Sequence, residues 1–258
     1  PPVAVLIGAD AHSSLFSSLQ MIGFGYNRVT RIETDGEGRM RPEALETALK
    51  AAGDGPKVVI AQAGQINTGA FDPFEAIVEI GRAHGAWVHV DGAFGLWARA
   101  TERLRALTAG IEGAHSWATD GHKWLQVPYD CGFAIVRDRE AHQRAMTQWS
   151  SYLPTIGAGD RVPSALVPEL SRRARGVPGW AMIRTLGREG IAALVEGCCA
   201  LAARFAERLA AEPGVRVLNA VVINQFVAVF GEGDAAARKA ATEAVIARVQ
   251  EDGVCYVG

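Results

Sequence analysis

Trp87-Val88-His89-Val90-Asp91-Gly92-Ala93-Phe94-Gly95 reads as a buried strand that delivers one acid, Asp91, and then small residues. Gly92 and Ala93 leave room for a flat ring to approach closely. Farther on, Ser116-Trp117-Ala118-Thr119-Asp120-Gly121-His122-Lys123-Trp124 delivers a His-Lys pair in an apolar setting. Lysine is rarely buried without a reason. The plain alternatives are a loop lysine with its stem packed on Trp124 and an Asp91 that only caps the turn after its strand.

Around these stretches, short apolar runs alternate with helical patterns. Strands are expected over Val3–Gly8, Arg28–Ile32, Lys57–Ala63, Ala86–Val90 and Cys131–Val136. Helices are expected after Ser13 or Asp10 as a cap, from Pro42, from Pro73, and from Asp138 to Gln148. This order indicates an α/β fold with a mostly parallel sheet. Ligands of such sheets sit beyond the carboxyl ends of the strands. His12, the loop Gly64–Gly69 and Asp91 all fall at such ends. Residues 150–168 carry no periodicity and read as a functional or mobile loop. Helical patterns at Trp180–Leu186 and Ile191–Leu209, broken at Gly190, precede strands at Val215–Leu218 and Val221–Phe230 and a helix at Ala235–Val249. They suit a second, smaller α/β domain.

The bulk properties narrow the function. The chain has 258 residues, 49% hydrophobic and 21% charged, with a net charge of −2. That balance favours neither nucleic acid nor an acidic membrane surface. No apolar run reaches the roughly 18–20 residues that span a bilayer, and no basic start precedes an apolar run. Cys131, Cys198, Cys199 and Cys255 form no CxxC pair and no zinc-like spacing, so a reducing cytoplasm is the expected location. The start at Pro1 and the strand-like ending at Val254–Gly258 lead us to expect a piece of a longer chain.

His12 stands alone among small polar residues, where a structural role is the usual one. His89 and Asp91 lack a third partner at metal spacing, so no metal site is expected. No Gly-x-Ser-x-Gly elbow supports a serine hydrolase. Gly36-Glu37-Gly38 lies in a polar turn rather than after a strand, which weakens a dinucleotide site.

Four motifs in order carry a resemblance. Ala11-His12-Ser13-Ser14, Thr68-Gly69-Ala70-Phe71-Asp72-Pro73, His89-Val90-Asp91-Gly92-Ala93 and Asp120-Gly121-His122-Lys123-Trp124-Leu125 resemble the group II pyridoxal-phosphate-dependent amino acid decarboxylases. That group includes aromatic-amino-acid, glutamate and histidine decarboxylases. The resemblance runs from Val3 to at least Arg175 and more weakly beyond. It implies the aspartate aminotransferase-like (type I) fold, with a cofactor-binding large domain over 1–186, lacking its N-terminal part, and the start of a small domain over 187–258. It implies pyridoxal 5'-phosphate as cofactor, an amino acid as substrate, a homodimer, and a carboxy-lyase working through a Lys123 Schiff base and a quinonoid. Asp91 would face the ring nitrogen, His12 and Ala93 the two ring faces, and His122 the phosphate or Schiff base. The family's Gly/Ser phosphate loop, upstream of the histidine motif, has no counterpart before it here.

Three departures accompany the resemblance. Gln65 and Ile66 stand where the family carries threonines, and Asn67 is similar to the aminotransferase Asn that bonds the cofactor's phenolic oxygen. Asp120 replaces an Asn near the phosphate. The loop tyrosine that reprotonates Cα has no equivalent between Leu153 and Pro168, and Tyr152 lies at that loop's edge. Aminotransferase, lyase or aldehyde-forming chemistry, or a non-catalytic protein of this fold, are the competing readings. Arg172, Arg173 and Arg175 form a basic cluster that would meet a substrate carboxylate or, more simply, solvent or a dimer partner.

Overall fold

The computed structural model describes residues 2–148, 151 and 162–258. Strands β1 (Ala4–Gly8), β2 (Val29–Ile32), β3 (Lys57–Gln62) and β4 (Ala86–Asp91) alternate with helices α1 (Ser13–Met21), α2 (Pro42–Ala51) and α3 (Phe74–Ala83). Short 3₁₀ turns between Gly95 and Gly113 lead to β5 (Ser116–Asp120), β6 (Gly132–Val136) and α4 (Arg139–Met146). The strands form one six-stranded sheet in the order β2-β1-β3-β4-β5-β6. The first five run parallel and β6 is antiparallel to β5.

The sequence explains the layers. The central strands are continuous apolar runs because both faces are covered. On one face, α3 buries Phe74, Ile77, Val78 and Gly81, a single helical stripe. With α2 it closes a core around Leu6, Val59, Val88 and Val90. On the other face α1 packs Phe16 and Leu19 onto Val5, Ile7 and Ile60. The chain leaves β1 toward β2 on one side and returns to β3 on the other. That reversal opens a crevice at the carboxyl ends of the strands.

The helix α5 (Gly176–Ala210) follows, then β7 (Val215–Val217), β8 (Ala228–Phe230) and α6 (Ala235–Asp252), with β7 and β8 paired as a separate antiparallel ribbon. Several expectations differ here. The break within α5 falls at Gly187, whose φ of 62° lies in the left-handed region, and not at Gly190. Residues Val221 to Val227 are not a strand. Their segment is held instead to the loop after β3: the amides of Asn219 and Gln225 donate to the carbonyls of Thr68 (3.0 Å) and Ile66 (2.8 Å). Residues 254–258 form no strand either. Most of the 150–168 loop, Tyr152 included, lies outside the described residues. No described helix is long and apolar enough to cross a membrane.

Candidate active site

Side chains alternate across a strand, so Trp87, His89 and Asp91 share one face of β4. Parallel register then sets Gln62 on one side of Asp91 and Ala118 on the other. This is the face that α1 covers. Where the first turns of α1 overhang the strand ends, a cavity of about 300 Å³ opens, lined by His12, Gln62, Asp91, Ala93, Asp120 and Lys123 among others. Three residues singled out from sequence for separate reasons thus meet on one cavity: His12, Asp91 and Lys123.

Each is held by local chemistry. His12 is itself the N-cap of α1, in place of the expected Ser13 or Asp10. Its Nδ1 accepts from the Ser14 N–H (3.2 Å) and lies 2.7 Å from Ser14 Oγ. The Asp10 carboxylate instead accepts from Thr34 Oγ1. With Nδ1 accepting, a neutral His12 carries its proton on Nε2. Asp91 Oδ1 accepts from the Ala93 N–H at 3.1 Å, which orients the carboxylate at the strand end. Lys123 Nζ lies 3.0 Å from Asp120 Oδ2, and His122 Nε2 lies 3.6 Å from the same oxygen. The Asp120 carboxylate is therefore turned toward two nitrogens.

Other expected residues stand elsewhere. Asn67 is exposed and absent from the cavity wall; its backbone N–H donates to Gln65 Oε1 at 2.6 Å. Gln65 spends its side chain inside the loop, bonding Asn67, Thr68 and Asp10. The loop meets the cavity through Gly64 and Ile66. His122 lies behind the wall, its Nδ1 3.0 Å from the Cys131 carbonyl and its ring packed at a tilt against Tyr129. Arg173 and Arg175 pair with Asp130 at 3.0 and 2.8 Å, so neither reaches the cavity. This exposed pairing holds the Asp130 carboxyl below its usual range, through Arg175 first.

Sequence reasoning missed Gln62 and the support beneath it. The Gln62 side chain faces the cavity and makes no hydrogen bond among the described residues. Its backbone is clamped by Asp72: its N–H donates to Asp72 Oδ2 (2.7 Å) and its carbonyl accepts from the Asp72 N–H (3.0 Å). The other Asp72 oxygen accepts from the Met40 N–H at 2.7 Å. Burial pushes Asp72 up to about 6, against the pull of these two backbone donors. The β period of two marks Gln62 as sharing a face with Ile60, but only the register with Asp91 puts it on the cavity.

This donor set fits pyridoxal phosphate. An amine, an acid and an imidazole converge on one cavity, which is the complement that a pyridine aldehyde requires. Ala93 and Ala118 keep the walls low enough for a flat ring. Gly64 is required where it stands: its φ is +92°, and a Cβ there would come within 2.8 Å of the Phe94 ring.

Comparison with known proteins agrees. Residues 2–228 match the Pyridoxal-dependent decarboxylase conserved domain. The chain is 36% identical over 200 residues to L-2,4-diaminobutyrate decarboxylase of Rhizobium meliloti, covering 74% of this chain and 39% of the relative. It is 31% identical over 230 residues to the acidic amino acid decarboxylase GADL1 of Bos taurus, covering 84% of this chain and 43% of the relative. The apo crystal structure of mouse CSAD superposes with a TM-score of 0.89 at 25% identity, over 100% of this chain and 57% of that one. The chain thus spans about half the length of the relatives it matches, or less. A parallel sheet with its crevice at the strand ends, a site chemistry that suits pyridoxal phosphate and a domain match over most of its length agree that this chain belongs to the pyridoxal-phosphate-dependent (group II) decarboxylases.

Proposed function

We propose that this chain is the cofactor-binding part of an amino acid decarboxylase in which Lys123 attaches pyridoxal phosphate and Asp91 pairs with its ring nitrogen. The observation that carries the reading is the convergence of His12, Asp91 and Lys123 on one cavity. Bound pyridoxal phosphate supplies an electron sink for the pair left at Cα when a bond there breaks.

The chain's own residues do the rest. Asp91, oriented by the Ala93 N–H, keeps a proton on the ring nitrogen by offering it a negative acceptor. His12 would face the ring of a bound cofactor, with Nε2–H free to donate because Ser14 occupies Nδ1. Ala93 leaves the opposite face open. Asp120 holds the Lys123 amine at the cavity edge, where it would attach the cofactor. His122 supports Asp120 from behind rather than meeting the cofactor. An amino acid is the substrate class on this reading, and a homodimer is the working form. Residues 1–186 make up the cofactor domain and 187–258 begin a smaller one, a division supported by the left-handed Gly187 inside α5.

Aminotransferase chemistry drew its support from Asn67 and from the missing loop tyrosine, and an exposed Asn67 off the cavity wall weakens the first of these. Borohydride reduction of the cofactor-loaded protein followed by peptide mass analysis tests the site: a cofactor adduct is expected on Lys123 and none in Lys123→Ala. Incubation with an amino acid panel tests the reaction. Carbon dioxide and amine are expected; keto acid without carbon dioxide would refute the decarboxylase reading.

A further inference from the structure

His89 is a buried titratable group that the roles above leave unused. It stands two residues before Asp91 on the same face of β4 and contributes to the cavity wall. Its Nδ1 lies 2.8 Å from Ser116 Oγ, and Trp87 Nε1 lies 2.8 Å from that same oxygen. Counting protons gives this chain a direction. An indole N–H only donates, so Ser116 Oγ accepts from Trp87. The hydroxyl has a single proton, and the acceptor within reach is His89 Nδ1. Nδ1 therefore accepts, and the neutral ring carries its proton on Nε2. Ser116 is only 8% exposed, so solvent has little access to rearrange the chain.

We propose that the Trp87→Ser116→His89 chain keeps His89 neutral, as the Nε2–H tautomer, so that the charge of Asp91 is left for the cofactor's ring nitrogen. His89 and Ser116 are then positioning residues that act through Asp91. The inference rests on the reading of Asp91 given above. A doubly protonated His89 would need both ring nitrogens to donate. Ser116 would then take two N–H bonds and turn its own proton away from both, leaving a buried hydroxyl proton without a partner. An imidazolium two residues from Asp91 on the same face would also draw on that carboxylate's field and compete with the ring nitrogen. Burial pushes the His89 pKa down and Asp91 pushes it back up, with burial the larger effect. The hydrogen-bond chain works in the same direction as burial. The other titratable groups around His89 are Asp120, Lys123 and His12 on the cavity, and His142 of α4 across the groove on its other side.

The test uses the full chain labelled with 15N-histidine, with the His89 resonances assigned by their loss in His89→Gln. Wild type is expected to show a neutral Nε2–H ring from about pH 7 down to about pH 6. Ser116→Ala and Trp87→Phe remove different links, and each is expected to let His89 take a second proton over that range. Each should weaken pyridoxal phosphate binding about tenfold near pH 6, read by absorbance titration, with melting temperature as the check on folding. Ser116→Thr keeps the hydroxyl and should restore both readouts. An imidazolium or an Nδ1–H tautomer in wild type would overturn the proposal. So would Ser116→Ala and Trp87→Phe proteins whose 15N shifts or cofactor affinity match wild type while the Lys123 adduct still forms. Absence of that adduct in wild type would instead overturn the cofactor reading, and this one with it.

Discussion

Replacing Asp72 by Asn removes a buried carboxylate that joins the cavity floor to the turn after β2. Both oxygens of Asp72 accept backbone N–H groups at 2.7 Å, from Met40 and Gln62, yet burial still raises its pKa from 3.8 to about 6. A folded-state value above the unfolded one means that the native state holds this proton more tightly. Its contribution to stability is complete below about pH 4 and is lost as pH rises through about 6. A shift of about two units corresponds to about 3 kcal/mol. Asn resembles the protonated acid in shape and does not titrate. Asp72→Asn should therefore lose this slope, so that its stability relative to wild type improves by about 3 kcal/mol between about pH 4 and 7.5. At the lower pH the two proteins should be similar, apart from the amide that now faces one backbone donor. Urea unfolding of both proteins across that range at constant ionic strength measures the difference. Acids such as Glu46 and Asp130, whose pKa values are lowered by Lys50 and Arg175, are common to both proteins and cancel. A wild-type-to-variant gap that does not change with pH would refute the assignment of a raised pKa to Asp72.

Gln62→Leu should leave the melting temperature unchanged, because the clamp on Gln62 uses only its backbone, while weakening pyridoxal phosphate about fivefold through loss of a cavity hydrogen bond; equilibrium titration decides, and unchanged affinity would show that the amide meets no ligand. Gly95→Ala should be destabilising by about 1–3 kcal/mol or more, since the new Cβ would clash with the Ala63 carbonyl oxygen. Thermal melts check that cost, and cofactor affinity should fall too, because Gly64 beside Ala63 lines the cavity.

Much of this protein was legible in one dimension. Continuous apolar strands and amphipathic helices follow from local periodicity, so the alternating order up to β4 and the mostly parallel character of the sheet could be read directly, while β5 was not among the expected strands. Asp91 and Lys123 were legible for a related reason: an acid at a strand end and a lysine in an apolar setting are unusual within their own neighbourhoods. What the sequence left open depends on register and on where side chains spend their hydrogen bonds. Asn67 looked like a ligand residue, but its loop folds around Gln65 and leaves Asn67 outside the cavity. Arg173 and Arg175 looked available for a substrate, but Asp130, more than 40 residues earlier, takes both. His12 looked either structural or functional; it caps α1 with one nitrogen and lines the cavity as well. Composition and period determined the fold class, because it depends on residue type and local spacing, while the cofactor chemistry came from the resemblance that four motifs in order carry. Which polar groups face the cavity was decided only when the strands came into register. Pairing Gln62 with Asp91, and His89 with Ser116, is a long-range choice that no local pattern encodes.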